Sequence, residues 1–299
     1  MDAMNVNCYE EDYQRVVGEV RSAGFLPGTG IEIVRPVKRR GPPRHVLFDF
    51  DGTLSLIREG WIDVMVPMMV EVLSAAGASE SPSALAAIAR DFVMELTGKQ
   101  TIYQMIRLGE ELARRGGTPE DPLVYKQRYH DRLMERIARR REDLASGKAS
   151  PRDMLVPYSL EILEELQRRG AALYVASGTD EPYVIEEVRL LGLDRLFGRH
   201  VYGALDDYKS FSKAMVIQRI LAENRVDGAA LLGFGDGYVE IQNVVAAGGT
   251  AVAVASDEAG RSGKPDPWKR DRLIGAGADL VIPDFRDWRV LVEYLWNDE

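Results

Sequence analysis

A doubly wound α/β fold, a parallel sheet with helices on both faces and an all-helical insertion, is what this 299-residue chain predicts. Three observations carry the prediction. Short apolar runs recur, each followed by a turn and then by helical periodicity, as in strands buried on both faces. Strand and helix alternate through the second half of the chain, the order that winds helices around a parallel sheet. Between the first apolar run and the second lie more than a hundred residues with little strand signal, too many for a single crossover.

Taken in order, residues 1–44 read as a small appendage and linker, with one helix around Glu11 to Ser22 followed by GFLPGTGIEIVRPVKRRGPPR. The run Lys38-Arg39-Arg40 reads as a solvated turn. The first strand is His45 to Asp51 (HVLFDFD). Residues 58–155 then read as an inserted helical cap with helices at Trp61 to Ala76, Pro82 to Leu96, Thr101 to Arg115 and Pro122 to Arg141. Gly77, Gly98 and Gly116-Gly117 separate them, and Pro67 is expected to kink the first. Further strands are expected at Ala171 to Ser177, His200 to Leu205, Ala229 to Asp236, Ala251 to Ser256 and Leu280 to Pro283. Ser159 reads as the cap preceding a helix that carries Leu160, Ile162, Leu163 and Leu166 and stops at Gly170. The core of the molecule is thereby assigned to residues 45–57 and 156–299.

Composition narrows the function. A formal net charge of -9 disfavours nucleic acid as the main partner, because backbone binding draws on clustered Lys and Arg. Cys8 is the only cysteine, which rules out an intrachain disulfide framework or a thiolate metal site and fits a cytoplasmic protein. The N-terminus is polar and acidic rather than signal-like, and no apolar run has the length of about 18 residues needed for a membrane span. No membrane partner is expected.

The chemistry is concentrated at strand ends. Asp49 and Asp51 stand two residues apart after an apolar strand, where two carboxylates repel unless a cation or a proton lies between them. Gly52 permits the sharp turn that follows. The run Val46-Leu47-Phe48-Asp49-Phe50-Asp51-Gly52-Thr53-Leu54 resembles the first motif of the haloacid dehalogenase (HAD) superfamily. Val175-Ala176-Ser177-Gly178-Thr179 resembles that family's phosphate-holding motif, and Gly233-Phe234-Gly235-Asp236-Gly237-Tyr238-Val239-Glu240 resembles its acidic metal-binding motif. For the family's lysine the sequence offers Lys209 and Lys213. Lys213 is preferred, since Ser212 reads as a helix cap and a lysine in a first turn, opposed by the dipole, answers a nearby anion.

The resemblance implies a Mg2+-dependent phosphohydrolase acting on a small phosphorylated metabolite, with Asp49 as nucleophile and Asp51 as general acid and base. It further implies Lys213 and Ser177, with Gly178 and Thr179, around the transferring phosphate, and Asp49, the carbonyl of Asp51 and Asp236 on the metal. Glu240 takes the place of the motif's second acid, ligating directly, acting through water, or serving only as a first-turn helix acid. In the cap, Thr97-Gly98-Lys99-Gln100-Thr101 reads either as a specificity loop presenting Lys99 or as a helix stop and cap. Arg58 and Trp61, where the chain enters the cap, are further candidates for the substrate cavity. A phosphosugar mutase would share these motifs, and a non-catalytic binding module would need them damaged.

Overall fold

The computed structural model describes residues 11–17, 24–37 and 41–296. Two short strands, β1 (Gly24–Phe25) and β2 (Glu32–Ile33), precede the central β3 (His45–Phe48). Helices α1 (Ile62–Ala75), α2 (Pro82–Glu95), α3 (Thr101–Arg114) and α4 (Pro122–Ala145) follow, within one or two residues of their expected starts. Then come α5 (Ser159–Arg168), β4 (Ala172–Asp180), α6 (Glu181–Leu190), α7 (Asp194–Phe197) and β5 (Val201–Ala204). The chain ends with α8 (Lys213–Asn224), β6 (Leu231–Gly235), α9 (Tyr238–Ala246), β7 (Thr250–Val254), α10 (Pro267–Gly275), β8 (Leu280–Ile282) and α11 (Trp288–Trp296).

Among the described residues the strands form one sheet of eight in the order β1-β2-β8-β7-β6-β3-β4-β5, parallel from β8 to β5 and antiparallel at the β1-β2-β8 edge. From β3 the chain winds outward through β4 and β5, then returns to the other side of β3 to build β6, β7 and β8. That reversal makes the C-terminal ends of β3, β4 and β6 the topological switch point, where such sheets open a ligand crevice. The frame beneath it is apolar: the Phe48 and Phe234 rings stack with centroids 4.8 Å apart, and Phe285 packs edge-on against both. Each such ring contributes about 1.5–3 kcal/mol by leaving water. Leu47, Ile217, Ile241 and Val244 form the core on the opposite face.

Local signals explain the inserted helices. Ser81 caps α2 through Ala84 N, and Asp121 caps α4 through Leu123 N, each followed by proline at a first-turn position. Their apolar faces, including Met68, Met69, Leu108 and Ile137, join the same cluster as Phe48. α1 runs on through Pro67 as one element.

Three expectations need correction. Residues 11–17, expected to begin a helix, are irregular instead: the Val16 and Val17 amides bond to the Gly275 carbonyl, and the Tyr13 ring packs edge-on against Tyr238. The remainder of that expected helix, and Lys38-Arg39-Arg40, lie outside the described residues. Ser159 does not cap α5 but is its first residue; Tyr158 holds the N-cap position at φ 66° without a side-chain capping bond, and the Ser159 hydroxyl donates to the Val156 carbonyl. Finally, the strand expected to end at Ser177 runs on to Asp180, its register against β5 shifting after Ala176, so that Ser177-Gly178-Thr179 lie within its last residues. Among the described residues no helix is long and apolar enough to cross a membrane.

Candidate active site

Asp49 leaves β3 with its Oδ1 held twice, by the Phe50 amide at 2.8 Å and by the Lys213 ammonium at 3.0 Å. Among the described residues nothing bonds to its Oδ2. Lys213 opens α8, capped by Ser212 as expected, and also donates to Glu240 Oε2 at 2.7 Å. Its side chain is only 1% exposed. Burial alone would loosen the lysine's proton, but Asp49 and then Glu240 outweigh it, so the ammonium form is held more firmly than in water. Burial pushes the Asp49 carboxyl up; Lys213 opposes that shift, while Glu240 and Asp236 add to it. Lys209 is exposed, its ammonium over the Tyr208 ring, and does not reach these acids.

Asp51 receives the hydroxyls of Thr179 at 2.8 Å and Ser177 at 3.4 Å on Oδ2. Its Oδ1 is buried without a hydrogen-bond partner among the described residues, and the nearest cation, Arg58 Nε, is 3.8 Å away. Burial, countered in part by Arg58, lifts this carboxyl to about 6. Arg58 is itself committed to Glu187 on α6, with Nη2 to Oε1 at 2.8 Å, both side chains being buried.

Asp236 follows β6. Its amide donates to the Thr53 hydroxyl at 3.0 Å, and that hydroxyl donates to its Oδ1 at 3.3 Å. Oδ2 receives Lys269 of α10 at 2.8 Å. One oxygen from each of Asp49, Asp236 and Glu240 falls within 4.8 Å of the others, the one acidic cluster of this kind among the described residues. Both Glu240 oxygens are engaged, since its Oε1 also accepts the Gly237 amide at 2.6 Å. Gly52, at φ 74°, lies under the Asp236 carboxylate, which would collide with any Cβ placed there.

The loop between α2 and α3 closes over these strand ends. Gly98 and Gly237 meet backbone to backbone, leaving no room for a side chain on Gly237, and Gly178 lies against the Lys99 carbonyl. The Gln100 amide donates to the carbonyls of Phe211 at 2.8 Å and Tyr208 at 3.2 Å, tying the loop to the segment before Lys213. Lys99 lines the resulting cavity, and its ammonium pairs with Asp12 at 2.6 Å, 4.9 Å from the Tyr103 ring centre. The cavity measures about 120 Å3 and is walled by Asp49, Asp51, Ser177, Lys213 and Asp236 below and by Arg58, Trp61 and Tyr129 above. All the expected site residues therefore border one space, except Glu240, which stands behind Lys213.

Residues 43–248, more than half of the chain, match the family model of the haloacid dehalogenase-like hydrolases. The chain belongs to that family. No curated protein matches its sequence. Among solved structures, this HAD-like hydrolase is similar to a predicted phosphoglycolate phosphatase from Haemophilus somnus at 17% identity and a TM-score of 0.55, over 85% of this chain and 99% of the other. It is similar to a HAD family hydrolase from Deinococcus radiodurans holding phosphate and sodium, at 18% identity and a TM-score of 0.51, over 85% and 97%. A candidate β-phosphoglucomutase from Bacteroides vulgatus matches at 15% identity and a TM-score of 0.54, over 86% and 90%. At these identities the likeness is one of fold.

Two residues of this HAD-like hydrolase were missed in the motifs. Lys269 bridges Asp236 and Glu258, reaching the latter at 2.7 Å, and bonds the Ser256 hydroxyl at 3.0 Å. Burial would loosen its proton, but Asp236 and Glu258 together hold it more firmly than usual. The signal was available: Asp266-Pro267-Trp268-Lys269 starts a helix with a capping acid and a first-turn lysine, the same argument that singled out Lys213. Glu258 offered none, being one acid in a polar loop.

Proposed function

We propose that this protein is a Mg2+-dependent phosphohydrolase that cleaves a small phosphate monoester through an aspartyl phosphate on Asp49. The observation that carries the proposal is the state of Asp49, a cavity-lining side chain whose Oδ1 is pinned by Phe50 and Lys213 while its Oδ2 carries no bond among the described residues and is left able to attack. Attack would form the bond from Asp49 Oδ2 to phosphorus as the bond to the leaving alcohol breaks. Asp51, whose carboxyl is lifted to about 6, would give its proton to the departing oxygen. Water would then attack the phosphorus of the aspartyl phosphate, yielding its proton to Asp51 and returning Asp49 as carboxylate. Ser177 and Thr179 would hold Asp51 toward the reacting oxygens. Lys213 would stabilise the charge that spreads over the phosphoryl oxygens.

A divalent cation fits the donor set. With the Arg58–Glu187 pair set aside, five carboxylates, Asp49, Asp51, Asp236, Glu240 and Glu258, face two ammonium groups, Lys213 and Lys269. Burial pushes Asp49 and Asp51 toward neutrality, and neighbouring acids, Glu240 and Asp236 for Asp49 and Glu187 and Asp236 for Asp51, add to the shift, which a bound cation would relieve. Asp49, Asp236 and the Asp51 carbonyl are hard oxygen donors suited to Mg2+, with Glu240 acting through Lys213. When bound, the ion would neutralise the phosphate dianion so that a carboxylate can approach it.

Residues 58–155 act in this reading as the cap, excluding water and selecting the substrate. A cavity of about 120 Å3 favours a small metabolite, since sites for drug-sized ligands run to roughly 300–1,000 Å3. Phosphate release from a panel of phosphorylated metabolites tests the proposal. Release from one or a few small monoesters, abolished by EDTA and restored by Mg2+, is the expected result. Absence of release across the panel, or release undiminished by EDTA, would overturn it.

A further inference from the structure

Asp236 is held at its Oδ2 by a fixed ammonium. The Lys269 backbone amide is bonded to Asp266 Oδ1 at 2.8 Å in the first turn of α10, and its Nζ ends on Asp236 Oδ2, Glu258 Oε1 and Ser256 Oγ. Ser256 in turn donates to the Gly52 carbonyl at 2.6 Å, which links this arrangement to the turn carrying Asp49 and Asp51. The Lys269 side chain is 12% exposed and has little freedom to withdraw.

We propose that Lys269 is a metal-selectivity residue: by occupying Asp236 Oδ2 it confines this carboxylate to ligation through one oxygen and so favours Mg2+ over Ca2+. The inference rests on the Mg2+ reading above. Its physical basis is the difference in coordination between the two ions. Mg2+ demands near-octahedral geometry with single oxygens and retained waters, whereas Ca2+ takes six to eight ligands and readily binds a carboxylate through both oxygens. An ammonium on Oδ2 removes the second oxygen from the larger ion and costs the smaller one nothing in ligand count. Because the two ions carry the same charge, repulsion from Lys269 largely cancels in the ratio of their affinities. That ratio therefore reports the coordination constraint, and a residue that merely stabilised the fold would leave it unchanged.

Isothermal titration calorimetry of the full chain with MgCl2 and with CaCl2 tests this, with circular dichroism to confirm folding. Wild type is expected to bind Mg2+ the more tightly. Lys269→Met, which removes the donor at similar volume, is expected to shift the affinity ratio toward Ca2+ by about tenfold. Lys269→Arg, which keeps a donor for Oδ2, is expected to retain the wild-type ratio. Should Lys269→Met fail to fold, Lys269→Gln carries the same expectation as Met. An unchanged ratio in a folded Met or Gln variant overturns the inference while leaving the Mg2+ reading intact. Failure of wild type to bind either ion overturns both.

Discussion

Asp49→Asn is expected to lower kcat on the best phosphate monoester by on the order of 10^4 to 10^6, the scale on which enzymes lose turnover with their nucleophile. The substitution is nearly isosteric, and its amide oxygen can still accept the Phe50 and Lys213 bonds that fix the side chain. What it lacks is a charged second oxygen to attack phosphorus. It also relieves one of the crowded acids, so the far-UV spectrum and the cooperative unfolding transition should survive. Steady-state kinetics beside thermal unfolding separates the two effects. Turnover close to wild type would remove Asp49 from the role assigned to it.

Lys213→Met should cost both stability and rate. The ammonium stands between Asp49 and Glu240 at 3.0 and 2.7 Å in a nearly dry place. Methionine matches its length and supplies no charge, leaving two buried acids opposed. Breaking a buried ion pair from one side costs about 3–5 kcal/mol, a large share of a typical total of about 5–15 kcal/mol. A clear fall in the urea midpoint is therefore expected. Mg2+ should restore part of the loss, because an ion that binds only the folded state stabilises it. Turnover should fall by about 10^2–10^3, as when one electrostatic stabiliser is removed from a transition state. An unchanged urea midpoint would show that the three groups do not share the charges drawn here.

The fold was legible wherever a segment buries itself by its own pattern. β3, β6 and β7 are continuous apolar runs, and the inserted helices announce themselves by Ser81-Pro82, Asp121-Pro122 and glycine stops. The β1–β2 edge was not legible, because strands of two residues have no period to detect. Their place is set by pairing with β8, some 250 residues further along the chain. Residues 11–17 misled for a related reason: their amides and carbonyls are satisfied by α9 and α10 rather than by one another.

The candidate site divides along the same line. Asp49, Asp51, Ser177, Lys213 and Asp236 could be named because each stands at a strand end or in a first helical turn. The destination of a long side chain was not readable. Arg58 points to Glu187, 129 positions away, and Lys99 is taken up by Asp12 at 2.6 Å. Lys269 stands in a first helical turn as Lys213 does, but its reach to Asp236 and to Glu258, an acid in a loop without pattern, could not be read.

In the proposed reaction phosphate passes through a covalent bond to the Asp49 carboxylate. Acid-quenching the enzyme during turnover and reducing it with borohydride converts an acyl phosphate to the corresponding alcohol, which peptide mass spectrometry can locate. Homoserine is expected at position 49, present only in samples quenched with substrate and Mg2+ and absent from Asp49→Asn. Homoserine at another aspartate position, or none at any position in an enzyme that is turning over, would contradict it.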